Sequence, residues 1–61
     1  MKKYVIRSFD SYFTGTFESG GVIIMTCFST EKNEAKIFNS NGEALETLNR
    51  IKHDEAYIEE I

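Results

Sequence analysis

The chain has only one cysteine, Cys27, and one histidine, His53, among its 61 residues. An intramolecular disulfide is therefore impossible, and two such side chains cannot supply all the ligands of a zinc site. A domain this small buries a limited apolar core, and proteins of this size usually add a disulfide, a metal or a partner chain. With the first two excluded, we expect self-association, most simply as a homodimer, and we expect no metal and no cofactor.

Short runs of β-branched and aromatic residues predict the strands. Tyr4–Phe9 and Tyr12–Phe17 are two such runs, separated by a turn signal at Asp10-Ser11. Gly20-Gly21 then permits positive φ angles and predicts a tight hairpin connection. The next run, Val22–Phe28, is almost continuously apolar, which is typical of a central strand or of one buried on both faces.

The second half of the chain contains the clearest helix. Ser40 and Glu43 match the capping box that begins a helix. An apolar stripe follows at helical spacing, formed by Ala44, Leu45, Leu48 and Ile51. Glu46 and Arg50 stand in the order and spacing that favour an ion pair on the helix surface. We therefore predict an amphipathic helix over Ser40–Lys52.

Three further segments complete the predicted fold. Ser29–Glu34 is polar and predicts a loop or a single helical turn, and Ala35–Phe38 predicts a short strand or an extended stretch. Ala56–Ile61 predicts a last strand at an edge of the sheet. The predicted fold class is α+β, in a single domain over residues 1–61. A mainly antiparallel sheet of four to five strands carries one amphipathic helix on one face, in the order β-β-β-(β)-α-β.

The aromatic residues of the predicted strands outnumber what one short helix can cover. They are Tyr4, Tyr12, Phe13, Phe17 and Phe28. We therefore expect aromatic surface that is either exposed or covered by a second copy of the chain. A sheet bearing Tyr4, Tyr12 and Phe13 could also stack nucleic-acid bases. The net charge of −3, with scattered lysine and arginine, argues against a binder of the phosphate backbone.

The sequence predicts neither a membrane segment nor a secretion signal. Its longest apolar run, Val22–Met25, is far shorter than the ~20 residues that span a bilayer. Lys2 and Lys3 are not followed by the long apolar core or the small-residue cleavage site of a signal peptide. A lone thiol suits a reducing compartment. We therefore expect a cytoplasmic protein that does not contact a membrane.

The side chains that could do chemistry do not form a catalytic set. Cys27 lies within the apolar run Val22–Phe28 and is predicted to be a buried, inert thiol. His53 is predicted to be solvent-exposed at the end of the helix. Glu59 and Glu60 are adjacent in a strand and point to opposite faces, so their carboxylates do not converge for acid–base catalysis. We therefore expect a protein that is not an enzyme and has no catalytic residues.

Several short segments of strand and helix-cap residues stand out together. They are Lys3-Tyr4-Val5-Ile6, Tyr12-Phe13-Thr14-Gly15, Phe28-Ser29-Thr30-Glu31-Lys32, Ala35-Lys36-Ile37-Phe38 and the helix start Ser40…Glu43-Ala44. With the acidic, isoleucine-ended terminus, they resemble small uncharacterised proteins encoded by phages and prophages of Gram-positive bacteria. The resemblance implies no catalytic or ligand-binding residue. It implies a context in which small early phage proteins bind a host protein, including defence nucleases, and redirect or inhibit it.

These observations predict a small non-enzymatic binding protein that acts by protein–protein contact. In the phage context it would be a modulator or inhibitor of a host protein, such as a defence or nucleic-acid enzyme, in the host cytoplasm. Aromatic side chains dominate protein interfaces. The predicted anchors are therefore Tyr12, Phe13 and Tyr57, with Glu59 and Glu60 as charges at the rim. The alternative is a self-associating accessory module, a homodimer without a host target.

Overall fold

Four strands form one antiparallel sheet, and a single α-helix packs on one of its faces, in the computed structural model, which describes all 61 residues. The elements are β1 Tyr4–Ser8, β2 Ser11–Ser19, β3 Val22–Ser29, a 3₁₀ turn Lys32–Glu34, α1 Asn41–Ile51 and β4 Ala56–Glu60. The strand order across the sheet is β3-β2-β1-β4. The predicted α+β fold, with a mainly antiparallel sheet and one helix, is confirmed.

Two-residue loops join the first three strands. Gly20 and Gly21 connect β2 to β3 with φ angles of 60° and 80°, the backbone that a tight hairpin turn requires. The hairpin predicted from the glycine pair is therefore confirmed. Phe9 and Asp10 connect β1 to β2, and Phe9 has a φ of 54°. Bulky residues rarely adopt this left-handed region, so the turn holds Phe9 in a strained conformation.

β3 lies at an edge of the sheet, so the predicted central or doubly buried position of Val22–Phe28 is wrong. Only β2 pairs with it. Three of its apolar residues, Val22, Ile24 and Met25, are exposed. A continuous apolar run does not determine the position of a strand in the sheet. It indicates that burial would be favourable, but it does not indicate whether other parts of the chain cover the strand.

A piece of extended chain fills a gap between β1 and β2. These strands pair only at Arg7–Tyr12 and Ser8–Ser11, because a β-bulge after Phe13 bends β2 away. The backbone N–H of Lys36 donates to the carbonyl of Phe13 at 2.9 Å, and Tyr4 and Phe38 exchange two backbone hydrogen bonds. Of the short strand or extended stretch predicted at Ala35–Phe38, the structure has the extended stretch, with one bridge that carries Phe38 into the core.

The core lies between the sheet and α1. Its fully buried members are Ile6, Phe13, Phe38 and Ala44. Half-buried apolar residues pack around them, namely Tyr4, Phe28, Leu48, Ile51, Ala56 and Ile58. The ring of Phe13 is central, since it stacks on Phe38 at 6.4 Å and meets Phe28 edge-on at 5.9 Å. This one-sided core explains why only 6 of the 61 residues are buried.

The helix begins where the sequence predicts and ends one residue earlier. The hydroxyl of Ser40 accepts a hydrogen bond from the backbone N–H of Glu43 at 3.1 Å, which satisfies one of the free donors of the first turn. Lys52 is the C-cap, in a left-handed conformation. The ion pair predicted between Glu46 and Arg50 is replaced, because Arg50 binds Glu18 of β2 instead.

Candidate functional site

One face of the sheet has no helix on it. Residues that pair directly across strands place their side chains on the same face. Arg7 pairs with Tyr12 in β2 and with Tyr57 in β4. Ile6 and Ile58 also pair, but on the other face, which packs against α1. Arg7, Tyr12 and Tyr57 therefore lie side by side on the uncovered face.

The same face continues into the β2–β3 hairpin. Tyr12 pairs with Ser29 of β3. Met25 lies four residues before Ser29 in the same strand, so both side chains are on the same face. Met25 in turn pairs with Phe17 of β2. Val5 lies two residues before Arg7 in β1, so the two side chains are on the same face. Glu59 pairs with Val5 and therefore belongs to that face as well. We call this surface the open face and define it by Arg7, Tyr12, Phe17, Met25, Tyr57 and Glu59. It extends across all four strands.

Arg7 is the organising side chain of the open face. Its guanidinium group lies 3.4 Å from both carboxylate oxygens of Glu59 and 4.7 Å from the centre of the Tyr12 ring. It also donates to the carbonyl of Phe9 at 3.4 Å. Burial opposes its charge, but the neighbouring Tyr12, Tyr57 and Glu59 outweigh that effect and raise the pKa of Arg7 above its ordinary value. The centre of the open face is therefore an Arg7–Glu59 ion pair whose guanidinium also lies over the Tyr12 ring.

Several large apolar side chains on or beside the open face are exposed to solvent. Phe17 and Met25 form an exposed cross-strand pair on the hairpin, and Tyr57 is 46% exposed. Phe9, in the strained turn next to Arg7, is 72% exposed. Beneath them Val5 is completely buried although no helix covers this face, so the surrounding long side chains shield it.

The five predicted partner-binding residues are divided by the structure. Tyr12, Tyr57 and Glu59 come together on the open face. Phe13 is only 1% exposed and belongs to the core, so its assignment as a surface anchor is wrong. Glu60 pairs with Tyr4 on the helix side of the sheet and lies 3.9 Å from the ammonium group of Lys2, so it is not at the rim of the open face.

Sequence reasoning missed Phe9 and Met25 as candidate surface residues, and it included Phe17 only among the aromatic residues that one helix could not all cover. Phe9 was predicted to end the first strand, and its position as the first of two loop residues with a positive φ appears only in the backbone. Phe17 and Met25 were placed in strands with no assigned face. The pattern of β2 alone contains a signal for Phe17, since it is separated from buried Phe13 by a glycine that marks the bulge.

The cysteine and the histidine lie on opposite faces of the sheet. Cys27 pairs with Gly15 on the open face and is half-buried. His53 was predicted to be solvent-exposed, but its ring packs 5.0 Å from that of Phe28 on the helix side, and its Nδ1 is buried without a hydrogen-bond partner. No cluster of three or more His, Cys, Asp or Glu side chains is arranged to hold a metal ion.

A cleft of about 320 Å³ lies between the hairpin and α1. Its floor includes Phe13 and Ile51, and its mouth is bridged by Arg50, which donates to Glu18 at 2.8 Å. This hydrogen bond, with a second from the hydroxyl of Thr16 at 3.0 Å, holds the pKa of Glu18 below its usual value. The ion pair ties the projecting hairpin to the helix.

The aromatic platform of the nucleic-acid alternative is split by the fold. Tyr12 lies on the open face, whereas Phe13 is in the core and Tyr4 packs against the core on the helix side. Three rings on two faces cannot stack a run of bases. No helix of the protein combines the length and apolar character needed to cross a membrane. Comparison of the chain with protein-family models, with curated proteins and with solved structures found no match.

Proposed function

We propose that this protein is a non-enzymatic binding module that contacts a partner protein through its open face. The observation that carries the proposal is the composition of that face, in which Tyr57 lies beside Arg7 and the exposed pair Phe17 and Met25 lies farther along the sheet toward the hairpin. Aromatic residues, methionine and arginine are the types enriched in protein interfaces. Exposed large apolar side chains on the one face of the sheet that no helix covers are typical of an interaction site.

The open face is also held ready for binding. Arg7 is fixed by Glu59 on one side and the Tyr12 ring on the other, so ordering it on complex formation costs little entropy. Phe9 is kept in a strained turn and largely exposed. Strain of this kind gathers at functional positions, where it presents a side chain to a ligand. Both features support a preformed binding surface.

The kind of partner follows from the resemblance to small phage and prophage proteins. The proposed partner is a host protein, such as a defence or nucleic-acid enzyme, which this chain would modulate or inhibit in the host cytoplasm. The proposed surface fits a partner with an apolar patch and with polar groups that meet the Arg7–Glu59 pair, since complementary charge gives orientation and specificity. A self-associating module without a host target is the second candidate, favoured by the small one-sided core.

Affinity capture with matched variants tests the proposal. Tagged wild-type protein, Tyr57→Ala and Leu45→Ala would be used to capture proteins from a Gram-positive lysate under identical conditions. Tyr57 on the open face and Leu45 on the helix are both about 46% exposed, so the two variants remove similar exposed apolar surface from different places. We expect a stoichiometric partner that binds wild type and Leu45→Ala, and binds Tyr57→Ala at least tenfold more weakly when purified and titrated.

Two outcomes would count against the open face. One is a partner that binds all three proteins equally, which would place the interface elsewhere. The other is repeated capture with no stoichiometric partner, which would favour the self-associating module.

A further inference from the structure

The outer edge of β3 is unlike the outer edge of β4, although both bound the same sheet. β3 is eight residues long and contains no charged residue and no proline. Its exposed residues are apolar, with Ile24 67% exposed. β4 is five residues long and carries Glu59 and Glu60. Proteins blunt free edges with short strands, charges and bulges. β4 is short and charged, whereas β3 is long and uncharged and has a bulge only at Ile24.

We propose that β3 pairs antiparallel with β3 of a second copy, so that two four-stranded sheets join into one continuous sheet of eight strands. This interaction uses an edge, and it does not depend on the function proposed for the open face. The pairing also accounts for the apolar run Val22–Phe28, which predicts a central strand although β3 lies at an edge of the sheet. β3 becomes a central strand only in the pair.

The occupant of this edge is identified as a second copy by charge and symmetry. In a two-fold pair each residue meets residues of the same strand, so a charged strand would face its own like charges. The chain as a whole has a net charge of −3. β3 contains no charged residue, so pairing two copies of it brings no like charges together. A 61-residue chain with six buried residues also gains the additional burial that domains of this size need.

The pairing has a consequence for the open face. A two-fold axis perpendicular to the sheet puts the open faces of both copies on the same side. Met25 and Phe17, which lie nearest the β3 edge on that face, would then adjoin the same residues of the second copy. The dimer therefore presents one extended surface with an apolar centre and an arginine on each side of it.

Oligomeric state and a matched pair of charge substitutions test the proposal. Wild type should sediment as a dimer at micromolar concentration. Ile24→Lys should halve the sedimenting mass, because it places two like charges within about 8–14 Å of each other at the apolar junction. Leu45→Lys, a control at an exposed helix position, should remain a dimer. Ile24 is the extra residue of a bulge, so lysine is compatible with the fold, and far-UV circular dichroism verifies this.

A second measurement uses only the wild-type chain. With the two-fold axis perpendicular to the sheet, pairing centred on Met25 or Thr26 puts the two Cys27 residues about 8–14 Å apart, whereas pairing through β4 would separate them by about seven strand spacings, roughly 34 Å. A short bismaleimide should therefore couple Cys27 to its copy. A monomer at all concentrations, a dimer that survives Ile24→Lys, or a dimer that does not couple through Cys27 would each overturn the proposal. Partner binding by monomeric Ile24→Lys would leave the open-face function standing.

Discussion

Phe13 gives the sharpest test of the division between core and open face. It is 1% exposed and contacts both Phe28 and Phe38. Replacing a buried phenylalanine by alanine costs about 3–5 kcal/mol. A protein of 61 residues has a free energy of unfolding of about 3–9 kcal/mol, at ~0.05–0.15 kcal/mol per residue. Phe13→Ala should therefore remove about a third or more of the stability.

The control is Tyr57→Ala on the open face. Tyr57 is 46% exposed, so its loss should lower the free energy of unfolding by about 1 kcal/mol or less. Urea denaturation followed by far-UV circular dichroism, at one fixed protein concentration because self-association contributes to stability, measures both effects. The same urea midpoint for wild type and Phe13→Ala would refute the position of Phe13, and equal losses in the two variants would refute the distinction between the faces.

Two further predictions concern the helix and its tie to the hairpin. Ser40→Ala removes the N-cap acceptor and should lower the free energy of unfolding by about 1 kcal/mol; an unchanged urea midpoint would contradict the cap. The pKa of Glu18 is lowered in the folded state, so its contribution is present above its unfolded pKa of about 4.3 and is lost as pH falls through the folded pKa. Urea denaturation should be repeated from about pH 6 down to about pH 3, on either side of that pKa. The free energy of unfolding should fall less steeply for Glu18→Gln than for wild type or the control Glu46→Gln.

Local signals in the sequence predicted the elements well. The glycine pair predicted the β2–β3 turn because its φ angles are needed there. Ser40 predicted the helix start because its hydroxyl satisfies a backbone donor of the first turn. Both are short-range effects in which a residue's own chemistry determines the backbone next to it. They remain valid whatever the rest of the chain does.

Long-range choices were less predictable. The sequence predicts that Arg50 pairs with Glu46 on its own helix. The hairpin instead brings Glu18 to 2.8 Å from Arg50, and Arg50 pairs with Glu18. Tyr12 and Phe13 are adjacent aromatics in one strand, and only the position of α1 determines which of them is buried. His53 was predicted from its place after the helix, but Phe28 supplies a ring for it to pack on. Each outcome depends on neighbours distant in sequence.

The position of β1 in the middle of the sheet has a consequence for the newly made chain. Arg7 and Glu59 lie 52 positions apart, an interval of about 3–10 s at a synthesis rate of ~5–20 residues per second. The β2–β3 hairpin is complete in sequence at Ser29, 30 positions before Glu59, so it precedes the β4 neighbour of β1 by about 1.5–6 s at the same rate. The strand with the uncharged edge is thus made seconds before the strand that completes the sheet. A chain in which β1–β3 have paired but β4 has not would already present that edge, so assembly through β3 would not need to wait for folding to end.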